Sequence, residues 1–107
     1  MERTERITEM ENILRAAKTA VVELEGALAG YEALIADIER LDAYYGSLEW
    51  RSDFEADEAG LLPDGLKRGV LSEDEAHDLL CANRDVLDRM RRIVLPKKEA
   101  KKAKRTV

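Results

Sequence analysis

From Thr4 to Tyr45 the chain contains no proline, and its apolar residues recur at a spacing that alternates between three and four. The row is Ile7, Met10, Leu14, Ala17, Val21, Leu24, Leu28, Tyr31, Ile35 and Ile38, and it then meets Asp42 before closing on Tyr45. Side chains at that spacing share one stripe of an α-helix, the a and d positions of a heptad seam. A second row, Ile13, Ala20, Ala27, Leu34 and Leu41, falls at g and widens the stripe. A two-stranded seam needs only a and d, whereas a three-position face suits a helix that touches two neighbours. The first helix therefore belongs in a bundle. Gly26 and Gly30 lie inside it, each costing about 1 kcal/mol relative to alanine. Away from the seam, they read as tolerated surface glycines or a slight bend, with a closely approaching neighbour as the alternative.

Gly46 sits where glycine is favoured just past a helix C-terminus. Ser47 can cap a short second helix, about Leu48 to Ala59, which Gly60 and then Pro63 bring to an end. Residues 61–71 read as a structured loop punctuated by Pro63-Asp64-Gly65 and Gly69. Ser72-Glu-Asp-Glu75 is a capping box, in which the hydroxyl accepts from the third helical amide and Glu75 reaches back. A third helix follows to about Leu95, carrying Ala76, Leu79, Leu80, Val86, Leu87, Met90, Ile93 and Val94, with Asn83 interrupting the stripe. Pro96 is the expected stop. Residues 97–107 are basic and without apolar pattern, so a helical domain over 1–96 and a disordered tail over 97–107 are expected. No internal repeat is present.

Helix lengths constrain the assembly. At 1.5 Å per residue the first helix would extend about 60 Å and the third about 35 Å. A third helix returning antiparallel would cover the Val21–Tyr45 half of the first. The other half offers Ile7, Met10, Ile13, Leu14, Ala17 and Val21 without a partner in the same chain. Burying a large aliphatic side chain contributes roughly 1.5–3 kcal/mol, so a wet row of them is a substantial penalty. Self-association as an antiparallel dimer, or docking of another helical protein, resolves it. The alternative is a frayed or bent first helix with the second folded over the gap.

Composition excludes several function classes. One cysteine, Cys81, forms no internal disulfide and suits a reducing cytoplasm. With a single histidine, His77, one chain cannot assemble a zinc site of several His and Cys ligands, and the same scarcity weakens any Cys–His or Ser–His nucleophile scheme. No apolar run approaches a membrane span, and the charged start Met1-Glu-Arg-Thr-Glu-Arg-Ile7 lacks the apolar stretch of a signal peptide. No enzyme, cofactor or metal is expected. The formal charge is −5, with six Lys and Arg against Glu99 in the tail. An acidic body argues against nucleic acid as partner, leaving the tail at most a weak, salt-dependent contact.

The middle segment holds the chemistry-bearing residues. Four of the five aromatics, Tyr44, Tyr45, Trp50 and Phe54, fall within eleven residues. Trp50 and Phe54, four apart, share a helix face. With Tyr45, Asp53 and Arg68 they are candidates for a small-ligand pocket, or for a minor enzyme built on residues 44–68. The competing reading, favoured here, is a small core that locks the corner between the first two helices. Arg68 is expected to pair with Asp53 or Asp57 and pin the loop. Asp53 to Glu58 resembles the opening of a calcium loop only superficially, since Glu58 stands where glycine is needed and Asp64 where glutamate is. His77 and Cys81, also four apart, would supply only two metal ligands.

Tyr44-Tyr-Gly-Ser-Leu-Glu-Trp50, then Asp53-Phe-Glu-Ala-Asp-Glu-Ala-Gly60, Leu62-Pro63 and Leu66-Lys-Arg-Gly-Val-Leu-Ser-Glu-Asp74, resemble a family of small bacterial helical proteins. That family is a domain of unknown function, number 4298. The likeness covers most of residues 5–92 and is specific through 44–74. It implies a bacterial, cytoplasmic protein with no known activity, so it carries over no catalytic residue. It draws attention to Tyr45, Trp50, Asp53, Gly60, Pro63, Arg68, Gly69 and Ser72. The expectation is thus an all-α protein with a long N-terminal helix, a short crossing helix, a structured loop and an antiparallel returning helix. Its function would be non-enzymatic helix packing through Ile7, Met10, Leu14, Ala17 and Val21.

Overall fold

The computed structural model describes residues 2–106, with side chains through residue 95. The protein is all-α: α1 spans Arg3–Tyr44, α2 spans Leu48–Glu58, a 3₁₀ turn covers Gly69–Leu71 and α3 spans Glu73–Thr106. No strand occurs among the described residues. The stop expected at Pro96 is not made, since α3 continues through it; the side chains of the tail over 97–107 lie outside those described. The chain divides into two compact units, Met1–Glu39 and Arg40–Val107.

The first unit is helix throughout its described residues from Arg3. Its first turn is closed by the Arg6 amide donating to Glu2 O at 2.9 Å, and the Thr4 amide donates to the Glu2 carboxylate at 3.4 Å. A carboxylate there complements the positive end of the helix dipole. Farther along, Arg15 donates to Asn12 Oδ1 at 2.9 Å, a one-turn pair on the exposed surface. The helix runs unbroken through Gly26 and Gly30, and a Cβ at either would meet nothing within 4 Å. Both are therefore surface glycines, with no close neighbour demanding their small size.

The second unit is organised by its helix ends. Gly46 adopts φ +80° directly after the last turn of α1, a conformation that side-chain-bearing residues take at a cost of about 1–2 kcal/mol. Ser47 is extended (φ −72°, ψ 173°), and its hydroxyl accepts the Trp50 amide at 3.1 Å, starting α2 as expected. The end of α2 is a full Schellman motif: Gly60, at φ +71°, donates to Asp57 O, and the Leu61 amide reaches back to Ala56 O at 2.9 Å. At the start of α3 the capping box is only half made. The Ser72 hydroxyl accepts from the Asp74 and Glu75 amides, but the Ser72 amide is taken by Gly69 O of the 3₁₀ turn. The Glu75 carboxylate lies instead over Gly69, where a Cβ would meet Oε2 at 2.6 Å. Among the residues described with side chains, Leu71, Ala76 and Leu80 are buried, and they cluster where the turn enters α3.

At Gly46 a Cβ would touch nothing within 4 Å, so only backbone conformation opposes a side chain there. Gly46→Ala is expected to lower unfolding stability by about 1–2 kcal/mol, and Gly46→Asn by less, because asparagine tolerates left-handed geometry. Urea unfolding followed by ellipticity distinguishes the two.

Candidate functional site

Two sets of candidate residues must be placed: the aromatic and acidic corner, and the N-terminal apolar row. At the corner, one turn of α2 brings Trp50 and Phe54 together with ring centroids 5.3 Å apart and planes 22° from parallel. Tyr45 meets the indole edge-on, at 5.2 Å and 68°. Both separations lie in the range where aromatic pairs attract beyond simple burial. The polar handles are used as well. Trp50 Nε1 donates to Val70 O at 3.0 Å, and the Tyr45 hydroxyl donates to Glu73 O at 2.9 Å. Three helix ends and the 3₁₀ turn are thereby tied through two side chains.

The acids divide between two partners. Asp57 Oδ1 accepts from Arg68 Nη1 at 2.6 Å, both side chains being about a quarter to a third exposed. Arg68 Nη2 also donates to Pro63 O at 2.9 Å and Nε to Leu66 O at 3.4 Å. One guanidinium thus spans α2 and the loop, pinning it as expected and choosing Asp57. Asp53 goes elsewhere: its Oδ2 accepts the Tyr44 hydroxyl at 2.6 Å. That hydrogen bond, with burial and the negative charges of Asp53 and Glu49, pushes the Tyr44 phenol up to about 12.

Of the five pocket candidates, Tyr45, Trp50 and Phe54 face one another, while Asp53 and Arg68 each bind a protein group. The arrangement fastens the corner. Tyr44 was not among those candidates, because nothing in a Tyr and an Asp nine residues apart announces a bond. Asp53 to Glu58 lie within α2 and present no cation loop. Cys81 Sγ lies 3.5 Å from His77 Nε2, and no group of three or more metal-ligating residues exists among the described residues. Beside the corner, Leu41, Gly69, Val70, Glu75, Ala76 and Leu79 line an open, mainly apolar groove of about 430 Å³. In the N-terminal row, Ile7, Met10, Leu14 and Val21 are each 52–54% exposed, and no residue of α1 is buried.

Two outcomes check the corner. Trp50→Phe keeps a ring but removes the donor to Val70 O, a solvent-accessible bond, and is expected to cost about 0.5–1.5 kcal/mol in urea unfolding. A Tyr phenol favoured in its neutral form stabilises the fold below the unfolded value near 10, and that contribution is lost as pH rises toward 12. The stability difference between wild type and Tyr44→Phe should therefore shrink from pH 10 to 12, and absorbance titration should lose its latest tyrosine step in the variant.

No helix among the described residues is long and apolar enough to cross a membrane. Neither a curated protein nor a solved structure matches the chain. One family does match, over residues 7–93, a span that holds the corner, its loop and the whole apolar seam from Ile7 to Tyr45. The chain belongs to the domain of unknown function family DUF4298.

Proposed function

We propose that the protein is a non-enzymatic interaction module that works by helix packing, self-associating as a homodimer through the N-terminal half of α1. The observation that carries this reading is the exposure of Ile7, Met10, Ile13, Leu14 and Val21, all large, apolar and 52–54% accessible on one helix. Helices in water gain most of their stability from packing an apolar face, so a row this long favours a partner. Fully covering each of the larger side chains contributes roughly 1.5–3 kcal/mol relative to leaving it wet. The corner supports the same reading from the other side: its aromatic faces and carboxylates are occupied in holding α2 and the loop, which suits a scaffold. A bacterial cytoplasm is the setting proposed with it; the one free thiol, Cys81, suits a reducing compartment.

Sedimentation equilibrium tests the proposal. The wild type is expected to be dimeric at micromolar concentration, with a melting temperature that rises with protein concentration. Leu14→Asp should be monomeric and should melt independently of concentration. A wild type that stays monomeric into the hundreds of micromolar would overturn the reading.

A further inference from the structure

The second unit carries an apolar row of its own that its core does not use. Along α3, Ala76 and Leu80 are buried, whereas Leu79, Val86 and Ile93 are 50%, 48% and 63% exposed. These three are spaced seven apart, as are Ile7, Leu14 and Val21 on α1. Both rows span about 21 Å of helix, and their residues lie on a single stripe. The groove lined by Leu41, Gly69, Val70, Ala76 and Leu79 sits at the N-terminal end of the α3 row.

We infer that this α3 row and its groove are the docking surface for the N-terminal half of α1 of a second copy, running antiparallel to α3. The inference rests on the self-association proposed above and assigns the counter-surface. Charge decides both occupant and direction. Residues 2–11 carry Glu2, Glu5, Glu9 and Glu11 against Arg3 and Arg6, while residues 12–22 carry Arg15 and Lys18 and no acid. On α3, residues 73–78 carry Glu73, Asp74, Glu75 and Asp78 with no Lys or Arg, while residues 84–92 carry Arg84, Arg89, Arg91 and Arg92 against Asp85 and Asp88. Antiparallel docking sets Val21 level with Leu79, Leu14 with Val86 and Ile7 with Ile93. Residues 12–22, with Arg15 and Lys18, then lie level with 78–88, which carry Asp78, Asp85 and Asp88 against Arg84, and the acidic residues 2–11 lie level with Arg89, Arg91 and Arg92; only 73–77, level with Glu23 and Glu25, meets like charge. Parallel docking sets like beside like. Complementary fields of this kind fix register and direction more than they add affinity. Pairing α1 with a second α1 leaves the α3 row and the groove uncovered.

Disulfide trapping tests this on the full chain. In a Cys81→Ser background, L14C and V86C chains are oxidised separately and as an equimolar mixture. Cross-linked dimer is expected in the mixture and not in either variant alone. Cross-linking of L14C alone would mean that α1 pairs with α1, overturning this inference while leaving self-association standing. A chain that sediments as a dimer but traps in neither form also overturns it, and a monomer overturns both. Val86 is half exposed, so Val86→Asp should leave the monomer's ellipticity unchanged while weakening dimerisation by about tenfold or more. An unchanged dimerisation constant would count against the α3 row.

Discussion

The second unit depends on how one indole is held. Trp50 is stacked on Phe54, met edge-on by Tyr45, and bonded through Nε1 to Val70 O. Those contacts join the end of α1, the body of α2 and the turn before α3. So few residues are buried, Leu71, Ala76 and Leu80, that aliphatic packing alone would leave this junction weakly defined. Large aromatic rings bury much area with few rotatable bonds, which makes them effective where little chain is available. The polar atoms matter equally, because a ring that also hydrogen-bonds a carbonyl is fixed in orientation as well as position.

Much of this was legible in the sequence, and the reason is local chemistry. Gly46, Ser47 and Gly60 announce helix ends because each role depends on one residue's backbone freedom or one short side chain. Trp50 and Phe54 could be paired because helical spacing alone brings them together. The Arg68–Asp57 bond was readable as one of two options, and only the fold decides between two acids a turn apart. What escaped were the bonds to backbone carbonyls: Tyr45 to Glu73 O across 28 residues and Trp50 to Val70 O across 20. Every residue has a carbonyl, so such a bond leaves no signature in residue type. The missing arm of the capping box has a similar origin. The 3₁₀ turn supplies Gly69 O to the Ser72 amide, and a side chain is no longer needed there.

The same contrast applies to the candidate functional residues. The apolar row of α1 is visible from periodicity; its side chains from Ile7 to Leu24 are exposed, and Leu28, Tyr31 and Ile38 are half-buried. The pocket candidates lie close together, and their proximity produces contact with one another and with neighbouring protein groups. Aromatic and charged residues close in sequence signal a demand for specific geometry, and a fold can use that geometry to build a junction as readily as to hold a ligand.

One feature of the corner has an optical consequence. The chain holds a single tryptophan, and all of its ring and hydrogen-bonding contacts lie within residues 45–70. Its emission therefore senses the junction alone, whereas peptide dichroism sums all the helices, the 42 residues of α1 included. The two signals cover different extents of the molecule, and heating or dilution that loosens one part first will separate their transitions.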